Sequence, residues 1–229
     1  MSLEPHDFWQ RLDAPGTHET APGTLYQTAF PAVMPDGCQL LLPIRALPSG
    51  GAVASMIVNQ ASFAVEDALA DVMTDQWRGI DPEVVIGVPT LGLPLAAAVA
   101  RRLGHKRMVA LGTSRKFWYS DDLSEPMSSI TSPGKDKNVY LDPRMVPLLA
   151  GRRVLLVDDV VSTGTSLAAV LRLLEKAGIV PAGISVAMEQ SDRWRAVLPR
   201  PELVRGAIRS PLLERSGEGY VVAPRISAP

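Results

Sequence analysis

A chain of 229 residues, 46% hydrophobic and 21% charged, has the length and apolar content for one sizeable α/β domain with additions. The formal net charge of −1 argues against a broad nucleic-acid-binding face. The single cysteine, Cys38, excludes an intrachain disulfide and a cysteine-cluster metal site, and no apolar run approaches the roughly 18 residues of a membrane span.

Met1 to Gln10 shows no basic n-region and no apolar h-region, so no signal peptide is expected and a cytoplasmic location is the default. Residues 1–23 are polar and punctuated by Pro5, Pro15, Gly16, Pro22 and Gly23. Two short strands are expected around Leu25–Phe30 and Gln39–Leu47, joined by the turn-like Pro35-Asp36-Gly37. Another is expected at Ala54–Val58. Val65, Leu69, Val72 and Met73 then fall at helical spacing, with Glu66, Asp67, Asp71 and Asp75 on a solvated face.

From Glu83 the pattern becomes strand–helix–strand. Val84–Val88 reads as a short buried strand, Leu95–Leu103 as a helix closed by Gly104, and Arg107–Leu111 as the next strand. This alternation predicts a parallel sheet. The loop between them, Pro89-Thr90-Leu91-Gly92-Leu93-Pro94, enters a helix, so its amides can face an anion. Residues 112–139 begin with Gly112-Thr113-Ser114-Arg115-Lys116 and continue as a long polar stretch. A connection of that length inside a compact domain is unusual and often forms a functional lid.

The most informative stretch runs from Val154 to Ser166. Its apolar start reads as a buried strand. Asp158 and Asp159 follow, then Val160, Val161 and the loop Ser162-Thr163-Gly164-Thr165-Ser166. Leu167, Val170, Leu171 and Leu174 form the stripe of an amphipathic helix, and Gly178 stands where a C-cap belongs. Free amides at the helix start, hydroxyl side chains and a permissive glycine make a phosphate cradle. Two carboxylates beside it would repel a bare anion, so the ligand must also offer them hydroxyls or a metal. A phosphorylated sugar satisfies both halves. Further on, Ala182–Met188, Leu203–Ile208 and Tyr220–Val222 read as strands, and Trp194 can either stack on a base or pack a neighbouring helix.

The Val154–Ser166 stretch closely resembles the phosphoribosyl-pyrophosphate signature of type I phosphoribosyltransferases. The resemblance implies an α/β fold: a doubly wound, mainly parallel sheet flanked by helices, with a small hood made by the N- and C-terminal segments. The expected division is an N-terminal arm and part of the hood in 1–59, a core in 60–190, and the rest of the hood in 191–229. The implied activity is transfer of a 5-phosphoribosyl group from phosphoribosyl pyrophosphate to a purine base, releasing pyrophosphate. Orotate or pyrimidine transfer and a non-catalytic, donor-sensing regulator are the alternatives.

By the same resemblance, Asp158 and Asp159 hold the ribose hydroxyls, directly or through water on Mg²⁺, and residues 160–166 hold the 5′-phosphate. Thr90, Leu91 and Gly92, with Arg115 and Lys116, hold the pyrophosphate, and a strained peptide is expected at Thr90–Leu91. Many relatives place a basic side chain where this chain has Leu91. Lys135 or Lys137 reaches in when the lid closes. Trp194 is the candidate for the base site. A homodimer without a membrane or nucleic-acid partner is implied.

Overall fold

The computed structural model describes residues 3–48, 50–127 and 137–224, with the backbone alone described at Lys137. The strands in chain order are β1 (Ala29–Val33), β2 (Gln39–Ala46), β3 (Ala52–Ala54), β4 (Val84–Gly87), β5 (Val109–Ala110), β6 (Ser124–Met127), β7 (Lys137–Tyr140), β8 (Val154–Val161), β9 (Gly183–Gln190), β10 (Val204–Ser210), β11 (Leu212–Ser216) and β12 (Gly219–Val222). The α-helices are α1 (Phe63–Asp75), α2 (Gly92–Arg102), α3 (Val146–Leu149) and α4 (Thr165–Lys176).

Five strands form the core sheet in the order β10-β9-β8-β4-β5, with every neighbouring pair parallel. A parallel sheet needs cover on both faces, and the side chains of β8 divide accordingly. Leu155 and Val157 pack with α1 and α2, whereas Val154 and Leu156 pack with α4. Each helix carries the stripe this requires. α1 buries Val65, Leu69, Ala70 and Met73 and is capped by Ser62, whose hydroxyl accepts the Val65 N–H at 3.3 Å. α2 buries Leu95, Ala96, Ala98, Val99 and Ala100, and its small side chains allow close approach to the sheet. Arg102 joins these two helices by pairing with Asp67 at 2.7 Å and Asp71 at 2.5 Å. α4 buries Leu167, Val170, Leu173 and Leu174, and Gly178 ends it in the left-handed region.

The two ends of the chain meet in a second, antiparallel sheet of order β1-β2-β3-β11-β12. Its seam is β3 against β11, with Val53 opposite Leu212. The doubly wound core with a hood from both terminal segments is therefore the observed fold. Several boundaries differ from the sequence expectation. The strand expected at 54–58 lies at Ala52–Ala54, the one at 107–111 shortens to Val109–Ala110, and β11 was not anticipated. The long connection from residue 112 holds β6 and leads into β7, and the two strands pair antiparallel. The pair is docked on α4 by the buried Glu125, which pairs with Arg172 at 3.1 Å and Lys176 at 2.8 Å. No helix among the described residues is long and apolar enough to cross a membrane.

Candidate active site

All five core strands run the same way, so β4, β5, β8 and β9 bring their carboxyl ends to one edge. That edge is where open α/β sheets bind ligands. β8 delivers Asp158 and Asp159 there, and the chain continues through Ser162 and Thr163 into α4. Gly164 occupies the N-cap position of α4 at φ 83°. A Cβ on it would lie 3.2 Å from the Cα and Cβ of Trp194, so conformation and space both call for glycine. The Thr163 and Thr165 hydroxyls are 3.2 Å apart, and Ser166 lies half-buried in the first turn of the helix. Val161 is buried and Val160 half-buried beneath the loop.

The loop after β4 packs directly against the acids. A Cβ on Gly92 would stand 2.8 Å from Asp158 Cα and 2.9 Å from its Oδ1. The Val88 N–H donates to Val157 O at 2.9 Å and holds the two strand ends together. Thr90 is exposed, Leu91 caps α2, and Gly92 is the first helical residue. The unusual peptide of this loop is a cis bond at Pro89–Thr90, one residue before the expected Thr90–Leu91.

Asp158 is 8% exposed and Asp159 half-buried. Asp158 Oδ1 accepts the Asp159 N–H at 2.9 Å, and among the described residues neither carboxylate has an ion-pair partner. Burial first, and then the Asp159 charge, push the Asp158 carboxyl well above its ordinary value. Burial also raises Asp159. The pair is thus an acidic centre without a cationic partner among the described residues, in which ionisation of both groups is disfavoured, beside two loops suited to anions.

Arg115 and Lys116 follow β5 at the same sheet edge and are exposed. Arg115 is engaged by Asp121, with Nε 2.8 Å from Oδ1 and Nη2 3.3 Å from Oδ2, so an anion would compete with that carboxylate for it. Lys135 lies outside the described residues. Lys137 opens β7.

Trp194 does not serve as a base platform. It is fully buried, one ring face is covered by Arg195 at 4.3 Å, and its Nε1–H donates to Ser191 O at 2.9 Å. Its place is against Gly164, as packing for the 162–166 loop. Reading residue types alone passed over Gln190, which accepts from Ser162 Oγ at 2.8 Å and donates to Ala54 O at 2.9 Å. The available signal was a polar Glu-Gln pair closing an apolar strand, β9, in which every position is buried.

The residues present suit a divalent cation only in part. The described residues contain no group of three or more His, Cys, Asp or Glu able to hold a metal. Two uncompensated carboxylates form half a donor set, which fits Mg²⁺ bound largely through ligand phosphates and water.

A family model for the phosphoribosyl transferase domain matches residues 54–199. The orotate phosphoribosyltransferase of Xanthomonas axonopodis pv. citri (strain 306) is 33% identical over 115 residues, which is 50% of this chain and 45% of that protein. The hypoxanthine/guanine phosphoribosyltransferase of Methanocella paludicola is 30% identical over 118 residues, 52% of this chain and 57% of that one. The chain thus spans about half the length of these curated relatives. Among solved structures, the APRTase from Giardia lamblia complexed with 9-deazaadenine superposes with a TM-score of 0.55 at 26% identity, covering 64% of this chain and 80% of that one. Adenine phosphoribosyltransferase from Rhodothermus marinus gives the same TM-score at 20% identity, covering 72% and 93%, and shares the fold.

Proposed function

The chain belongs to the phosphoribosyltransferase family, and from that premise we propose that it transfers a 5-phosphoribosyl group from phosphoribosyl pyrophosphate to a purine base. One observation carries the reading: Gly92 of the β4 loop lies directly on Asp158, ahead of the phosphate cradle. Two anion-binding loops therefore flank a carboxylate pair, as a sugar phosphorylated at both ends requires.

In this proposal the amides and threonine hydroxyls of residues 162–166 hold the 5′-phosphate at the amino end of α4. Asp158 and Asp159 accept the ribose hydroxyls. Thr90, Leu91 and Gly92, with Arg115 and Lys116, hold the diphosphate once Arg115 is released from Asp121. A nitrogen of the base forms its bond to the ribose C1 as the C1–O bond breaks, and pyrophosphate departs with that electron pair. Positive charge accumulates on the ribose in the transition state, beside the two carboxylates, which stabilise it. Mg²⁺ brought with the donor would neutralise charge on the departing diphosphate. The protein's contribution is positioning and electrostatics rather than a covalent intermediate. A homodimer is part of the proposal, and equilibrium sedimentation tests it.

A pyrimidine acceptor is the second reading, favoured by the core's 33% identity to an orotate phosphoribosyltransferase. The purine reading leans on the superposition with the Giardia APRTase. The test offers donor and Mg²⁺ with adenine, hypoxanthine, guanine, xanthine, orotate and uracil in turn and measures pyrophosphate release. Release with one purine supports the first reading, and release with orotate alone replaces it by the second. Donor binding without release from any base would make the protein a sensor and sink the enzymatic proposal.

A further inference from the structure

We infer that Gln190 is a positioning residue that holds the 5′-phosphate loop in register with the sheet built from the chain's two ends. The inference rests on the donor-binding reading of that loop. Gln190 is the last residue of β9 and is 8% exposed. Both ends of its carboxamide are used. Nε2 donates to the carbonyl of Ala54, the last residue of β3, at 2.9 Å, and Oε1 faces Ser162 Oγ at 2.8 Å.

The chemistry of the partners fixes every proton in this relay. A backbone carbonyl can only accept, so the amide nitrogen must point to Ala54. Its oxygen then points to Ser162, and the serine hydroxyl must donate inward. Ser162 has one hydroxyl proton and it is spent here. The hydroxyl is therefore not a donor to the phosphate, contrary to the simple expectation for a serine in such a loop. The donors left for the phosphate are main-chain amides and the remaining loop hydroxyls, of which Thr163 and Thr165 share one hydrogen bond with each other at 3.2 Å. Ser162 instead fixes the strand-to-loop corner through which those groups are aimed.

No apolar side chain can replace this link, and an ionised glutamate can replace only half of it. Ionised, glutamate accepts from Ser162 but has no proton for Ala54. Protonated, it donates to Ala54 and still accepts from Ser162. This difference separates a directed relay from simple space filling.

The test is calorimetric titration of the full chain with phosphoribosyl pyrophosphate in the presence of Mg²⁺, alongside a thermal melt of each variant. Gln190→Met fills the space without the bonds and should weaken donor binding about tenfold, the effect of losing one or two ordinary hydrogen bonds. Ser162→Ala should weaken it comparably, and the double variant should lose little beyond either single one, because both break one relay. Gln190→Glu should bind weakly at pH 8 and approach the wild-type value measured at the same pH as the solution is acidified towards pH 5. A purely structural role would leave that pH dependence identical to wild type. Wild-type affinity in Ser162→Ala and in Gln190→Glu at pH 8, or losses that simply add in the double variant, would overturn the inference while leaving the family reading intact. A wild-type chain that does not bind the donor would overturn both.

Discussion

The clearest consequence of the acidic pair is that ligand-free protein should become more stable when one acid is neutralised. Asp158→Asn preserves the side-chain shape, and its Oδ1 can still accept the Asp159 N–H that the carboxylate accepts at 2.9 Å. What it removes is one of two neighbouring charges without a cationic partner among the described residues. Unit charges as close as adjacent carboxylates repel by roughly 3–4 kcal/mol at an effective dielectric of about 20. Discounted for the partial exposure of Asp159, the relief is about 2 kcal/mol. For a chain of this size that corresponds to a rise in Tm of about 4–8 °C. The sign with pH follows from the upward displacement of both carboxyls. The cost of ionising them is present above their raised folded-state values and disappears as pH falls through those values towards the ordinary 3.8. Melts of both proteins without ligand at pH 8 and at about pH 4 should therefore show a gap that closes on acidification. A variant that melts at or below wild type at pH 8, or a gap that persists unchanged in acid, would refute the electrostatic account of the site.

Gly92→Ala pushes a methyl group to 2.8 Å from Asp158 Cα; overpacking of this kind costs about 1–3 kcal/mol, so its urea midpoint should fall and donor affinity with it. Trp194→Ala should lose about 3–5 kcal/mol of stability, as for a large buried aromatic, while the ranking of bases in the pyrophosphate-release assay stays unchanged; a switched ranking would restore Trp194 to the base site. Asp142 is held down to about 2, chiefly by its hydrogen bond with Arg144. The stability it adds is complete above its ordinary 3.8 and is lost as pH falls through about 2, so acid titration of Asp142→Asn should be flatter than wild type over that range.

What could be read from the chain was local and chemically strong. The apolar run at 154–157, the adjacent acids, the hydroxyl-rich loop and the stripe ending at Gly178 each act within one turn or strand. Together they point to the carboxyl edge of the core sheet, where the structure brings Gly92 against Asp158. Long-range pairing left weaker marks. β11 is Leu-Leu-Glu-Arg-Ser, with its last three residues exposed, and its register depends on β3, far back in the chain. No alternation of its own announces it. β5 keeps only two ladder residues because it is the edge strand, paired on one side by β4. Trp194 was ambiguous for a physical reason, since an aromatic side chain suits both a base and a core, and its full burial and the packing of Gly164 against it resolve the choice. Gln190 was illegible as a relay because both of its partners are distant in sequence.

On the proposed function, the same packing that makes the site recognisable should make it selective about charge. Gly92 brings the loop proposed to bind an anion against Asp158 with no room for a side chain between them. An inorganic anion occupying either loop would add negative charge beside carboxylates already displaced upward by burial and mutual repulsion. A ligand lowers the free energy of this arrangement only if it separates its phosphates with neutral hydroxyls at the acids, or brings a cation with it. Phosphoribosyl pyrophosphate with Mg²⁺ does both, and pyrophosphate alone does neither. On the proposed function, the acidic pair should therefore discriminate between the intact donor and metal-free pyrophosphate, even though both would present phosphate to the Thr90–Gly92 loop; equal affinity for the two in calorimetric titration would refute this.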